Sequence, residues 1–239
     1  MTLQSLPPTF VTTRDALHQI AFFAIAPARY QAVGRMGLRA TPGGFGTPEY
    51  EGKVARVEGD LLVLENQGNI ATQTITTVRA AASFFGVDYQ TEWFSDFHDP
   101  LIPVDPDAPL DVDAEASQAL GEWFAFGTDV LNALRAQGTE DDDISEVQLW
   151  PEHFDPATEL GDYEKGQRAS YGASPGDASH DGPYLYVASW SEIDRSNPYW
   201  NDEHFNGASL SYAELLAADD PAERGLDFLL QGYRLLHGG

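Results

Sequence analysis

Two short stretches hold residue types that could do chemistry. Residues 174–187 read SPGDASHDGPYLYV and bring Asp177, His180 and Asp181 within five positions. Upstream, 151–155 read PEHFD, with His153 and Asp155 at i, i+2, a spacing that puts both side chains on one face of a strand. Two histidines with two carboxylates form a reasonable ligand set for a divalent metal, so His153, Asp155, Asp177 and His180 are the candidate metal residues. The same set could move protons in a metal-assisted or acid–base hydrolase by lowering the pKa of a bound water. No His-Glu-x-x-His pair and no Asp-x-Asp-x-Asp-Gly loop accompanies them. The competing reading of Pro175-Gly176 is a plain turn between strands.

A second group suits a small polar ligand. Aromatic rings with a few polar groups are what such a site needs, and Tyr184, Tyr186, Trp190, Tyr199, Trp200 and His204 supply them. Arg168 joins this group either as the cation for a carboxylate ligand or as the partner of a neighbouring acid. Trp123 and Trp150 are assigned to the core. The loop TPGGFGTPEY (41–50) lacks the Gly-Lys-Ser/Thr of a phosphate loop, so its glycines read as turns or close backbone approaches, with Phe45 at the tip. No Gly-x-Ser-x-Gly elbow occurs.

The net charge of −25 is unevenly spread. Residues 1–90 carry seven basic and seven acidic residues, so all of the excess lies beyond them. That surface repels phosphate backbones and anionic lipid, which argues against nucleic-acid and membrane partners. It leaves room for a third reading, an acidic module that docks a basic protein. No cysteine is present, which removes disulfides and thiolate chemistry. With no membrane-length apolar run and no signal-peptide pattern, the expectation is a cytoplasmic protein.

The elements that must position these residues follow from periodicity. Residues 13–33 predict a helix capped by Thr13 and ended or kinked at Pro27. Residues 35–40 predict a strand, 53–65 a hairpin about Glu58-Gly59-Asp60, and 72–86 a helix, an α-β-β-β-α unit. The Pro/Asp-rich stretch 95–112 is a candidate connector between 1–94 and 113–239 if the chain is not one unit of 1–239. A long helix over 113–136 precedes an exposed EDDD loop (140–143). Strands are expected at 145–150, 167–172 and 184–190, with an extended segment from Phe154. Ser211 with Glu214 reads as a capping box, and Asp220-Pro221 as the start of a last helix. The class is α+β with a mainly antiparallel sheet flanked by helices.

Several strings together, LRATPGGFGTP (38–48), LWPEHFD (149–155), YGASPGD (171–177), PYLYV (183–187) and the run from YWN (199–201) to LSYAELL (210–216), resemble an uncharacterised family of hypothetical proteins from mainly high-GC bacteria. The resemblance covers Leu17 to Leu236 and implies one integrated unit. It carries no activity, cofactor or catalytic residue. The family pattern has Phe-Asp-Leu-Ala where this chain has Phe154-Asp155-Pro156-Ala157, which favours Asp155 over His153 as a shared feature.

Overall fold

A computed structural model describes residues 3–89 and 104–238. The chain is α+β, with two five-stranded antiparallel sheets and six α-helices among the described residues. It divides into two compact units, one of Met1–Ser5, Trp123–Gln148 and Asp155–Gly239, the other of Leu6–Glu122 and Leu149–Phe154. No helix among the described residues is long and apolar enough to cross a membrane.

In the second of these units, helix α1 (Phe10–Ile20) runs into a π-helical turn (Ala21–Ile25) and continues as α2 (Ala26–Val33). The helix starts before Thr13, whose hydroxyl instead accepts the amide of Asp113 at 3.1 Å. Pro27 neither ends nor breaks the helix. A proline ring clashes with the carbonyl four residues back, and the wider π turn just before it relieves that clash. Gly34, at φ 68°, closes α2.

The first sheet has the order β1 (Arg39–Thr41), β2 (Gly44–Gly46), β3 (Lys53–Glu58), β4 (Leu61–Asn66), β5 (Asn69–Thr74). Its hairpin at Glu58-Gly59-Asp60-Leu61 forms as expected. The glycine-rich loop does more than turn, because β2 lies inside it. A Cβ at Gly44 would meet the Val57 carbonyl at 2.3 Å, so only glycine admits this strand pairing. Phe45 is fully buried with its ring edge-on to Phe154 at 4.9 Å. The sheet has five strands where three were expected. The missed turn is Gln67-Gly68, both at positive φ, which returns the chain as β5. The helix expected from residue 72 therefore begins later, as α3 (Val78–Phe84), with the Thr77 hydroxyl accepting the Ala80 amide.

Helix α4 (Ala114–Arg135) starts at Asp113, whose carboxylate accepts the Ala116 amide at 2.8 Å. The second sheet has the order β10 (Gly207–Ser211), β9 (Tyr184–Ser189), β8 (Ala169–Ser174), β7 (Asp155–Leu160), β6 (Gln148–Trp150). Helices α5 (Tyr212–Leu216) and α6 (Pro221–Leu236) close the chain. Both expected caps form: Ser211 and Glu214 make the reciprocal capping box, and Asp220 accepts the amides of Ala222 and Glu223.

The register sorts the side chains of this sheet by face. Tyr171 and Ala173 of β8, Leu185 and Val187 of β9, and Ala208 and Leu210 of β10 share one face and are buried. Helices pack on that face at glycine contacts. A Cβ at Gly127 of α4 would fall 2.4 Å from that of Ala173, and one at Gly232 of α6 would fall 3.0 Å from Val187. Each fully buried side chain there contributes at most about 1.5–3 kcal/mol. The opposite face is left to small and polar residues, and it carries the candidate site.

Candidate functional site

Tyr184 and Tyr186 alternate with Leu185 and Val187, so both rings stand on the face turned away from α6. Ser170, Gly172 and Ser174 of β8 and Asp155 of β7 share that face. Gly172 lies opposite Tyr186 in the register, and a Cβ there would meet the phenol ring at 2.3 Å. The ring thus lies across the glycine and delivers its hydroxyl to Asp155, donating to Oδ2 at 2.6 Å. Burial, and then the adjacent Asp155 charge, push the Tyr186 phenol well above its ordinary pKa.

At one end of the face, the loop after β8 folds around Asp177. Its Oδ1 accepts the amides of Ser179 (2.6 Å) and His180 (2.9 Å), and its Oδ2 accepts the Tyr184 hydroxyl (2.6 Å). Burial alone would raise the Asp177 pKa, but the hydroxyl and amide bonds outweigh it and leave the pKa below the ordinary value. Burial raises the Tyr184 phenol, and donation to Asp177 raises it further.

His180 stands between two carboxylates. Its Nε2 is 3.0 Å from Oδ2 of Asp202, and its Nδ1 is 3.4 Å from Oδ1 of Asp177. Asp202 is only 3% exposed, and its other oxygen accepts the amides of His204 (2.9 Å) and Phe205 (3.4 Å). The imidazole lies against the Tyr184 ring, centroids 4.2 Å apart, and meets His204 edge-on at 5.4 Å. Phe205 in turn meets the Tyr186 ring edge-on.

The far end of the same face is filled by Arg168. It bonds the Glu159 carboxylate at 2.6 Å and the Asp143 carbonyl at 2.8 Å, and lies under the Trp190 ring. The expected pairing with neighbouring acids is present, to Glu159 and Asp143. Trp190 is half exposed and donates to the Ser170 hydroxyl.

The expected residues therefore separate. Asp177, His180, Tyr184 and His204 come together; Tyr186 and Asp155 form the adjoining pair; Arg168 and Trp190 form a third group on the same face. Tyr199 and Trp200 lie elsewhere and are buried, the Tyr199 hydroxyl donating to the Phe228 carbonyl of α6. The strands expected at 145–150 and 167–172 are not neighbours, because β7 runs between them. His153 is exposed in the turn before β7, in the other compact unit from Asp155, Asp177 and His180. Among the described residues no group of three or more His, Asp or Glu side chains is arranged to hold a metal ion. Trp150, expected in the core, is 38% exposed.

Three further groups are not evident in the sequence. Asp202 was hidden in NDEHFNG, where its turn-forming position three residues before Phe205 is the signal that could have found it. Asp142, placed by its neighbours in an exposed acidic loop, is buried. Its Oδ2 accepts from the Tyr233 hydroxyl (2.7 Å) and the Thr139 amide (2.7 Å), and its Oδ1 faces His237 Nε2 at 3.0 Å. In the other unit His18 is half-buried and stacks on Phe154, with Nε2 3.0 Å from the carbonyls of both Pro151 and Glu152. Both are acceptors, so Nε2 carries hydrogen, and burial lowers the His18 pKa.

Comparison of the chain with protein-family models, with curated proteins and with solved structures found no match.

Proposed function

We propose that the polar face of the second sheet binds a small polar ligand that donates hydrogen bonds, such as a polyol or an amine. The observation that carries this reading is the arrangement about His180. Two carboxylates bracket one imidazole, with the rings of Tyr184 and His204 beside it. Asp177 keeps 44% of its side chain exposed, which leaves acceptor capacity facing outward. Aromatic faces beside carboxylate oxygens with remaining lone pairs match the C–H and O–H or N–H groups of such ligands. The geometry favours binding over acid–base catalysis. A general base needs one free ring nitrogen, and both nitrogens of His180 face carboxylates. A cytoplasmic setting agrees with the cysteine-free composition.

The test is a thermal-shift and ligand-observed NMR survey of polyols, amino sugars and polyamines, run on the intact chain and on Asp177→Asn. At least one class should raise the melting temperature of the parent and lose most of that effect in the variant. If no class shifts the parent, or the variant responds equally, the reading fails.

A further inference from the structure

Strand β5 is an unguarded sheet edge in a chain that guards its other edges. In the second sheet, the outward N–H and C=O of Ser209 in β10 are both taken by the Asn201 side chain. The outward groups of Leu149 in β6 exchange two bonds with Leu38. In the first sheet, β1 is three residues long; Leu38 just before it is already used, which leaves Ala40 as its outward residue. β5 differs from all three.

Its geometry follows from its turn. A two-residue turn at Gln67-Gly68 makes Asn66 and Asn69 a mutually bonded pair. Alternation then turns the backbone of Ala71 and Gln73 toward β4, and that of Ile70, Thr72 and Thr74 outward. Three N–H and three C=O groups in a row have no backbone partner among the described residues. Five of the six residues are exposed, Ile70 at 67%. No lysine, proline or charge occurs from Asn66 to Val78, and β5 pairs with β4 in unbroken register without a bulge.

We propose that β5 is a self-association edge and that its occupant is β5 of a second copy of this chain, paired antiparallel about a two-fold axis through Thr72. In that register Thr72 faces its own copy, and Ile70 and Thr74 face each other twice. All six outward groups of each strand are then satisfied, and every paired residue is β-branched. Charge selects this edge. Two copies carry −25 each, but residues 1–90 are balanced and the strand itself is neutral, so contact here brings no like charges face to face. Association should tighten as added salt screens the remaining repulsion.

The experiment is sedimentation velocity of the full chain across concentration and salt, with Thr72→Lys and Thr72→Val. The parent and Thr72→Val should dimerise reversibly, more tightly at high salt. Thr72→Lys, which sets two ammonium groups opposite each other, should weaken the dimer by about tenfold or more at unchanged melting temperature. The absence of native cysteine allows a register test that does not depend on affinity. Thr72→Cys should oxidise to a covalent dimer. Ile70→Cys should not, its copy lying roughly 14 Å away at about 3.4 Å per residue. A parent that is monomeric at every concentration and salt, a Thr72→Lys dimer as tight as the parent, or equal cross-linking at the two positions would each overturn the proposal.

Discussion

Asp202 should be the most costly single carboxylate to lose on the polar face, and its two oxygens allow the cost to be divided. Oδ2 holds His180 at 3.0 Å, while Oδ1 holds the turn amides of His204 and Phe205. Asp202→Asn keeps a carbonyl oxygen for the turn and removes only the charged contact to His180. A hydrogen bond to a charged group contributes about 1.5–3 kcal/mol, and His180 retains 22% side-chain exposure, so a loss of about 2 kcal/mol is expected. Asp202→Ala also strands two backbone amides, one of them only weakly bonded, which adds about 1–2 kcal/mol. Urea unfolding at neutral pH on both variants gives the two steps. A double-mutant cycle with His180→Ala isolates the pair and should return a coupling near 2 kcal/mol. Additive effects, with a coupling under about 0.5 kcal/mol, would refute the claim that His180 is held by Asp202.

Three other outcomes are expected. Gly172→Ala should displace the Tyr186 ring and break its bond to Asp155, costing about 1–3 kcal/mol by overpacking; an unchanged denaturation midpoint would contradict it. Because burial lowers the His18 pKa from its ordinary 6.5, the unfolded chain binds a proton there first as pH falls. Stability tied to His18 is thus full above about pH 6.5 and declines as pH drops from there through the lowered value, and His18→Gln should flatten the melting-temperature profile between pH 7.5 and 5.5. Burial and donation to Asp142 push the Tyr233 phenol up to about 12, and this donation helps hold the Asp142 pKa below 3.8. Stability tied to Asp142 is present above that ordinary value and lost as pH falls through the lowered one. Tyr233→Phe should therefore cost about 1 kcal/mol at neutral pH and move the midpoint of acid unfolding upward.

Local signals in the sequence were read well where they are self-contained. The capping box at Ser211, the Asp220-Pro221 start and the long apolar stripe of α4 depend on neighbours within a turn or two, and all three appear as expected. β5 is hidden in the sequence because Ile75, Val78, Ala82 and Phe85 fit a helical spacing that extends back over it, and the positive φ of Gln67 is not a feature its residue type advertises. Pro27 was misjudged because the π turn that accommodates it is a tertiary compromise. Asp155, the partner the sequence favours for His180, instead takes the Tyr186 hydroxyl; Asp177 meets His180 within one loop, and Asp202 reaches it only through the fold of the loop before β10. Trp150, Tyr199 and Trp200 show the limit from the other side. Residue type says that an aromatic ring seeks burial; only packing says which one obtains it.

Strand β9 places two different selective pressures on alternate residues. Leu185 and Val187 sit where Gly225 and Gly232 of α6 leave no spare room, so drift at those positions meets immediate purging. Tyr184 and Tyr186, the alternating residues, answer instead to Asp177 and Asp155. Because the backbone ladder is indifferent to which side chains it presents, the polar face of β9 can change its residues while the packed face keeps the fold.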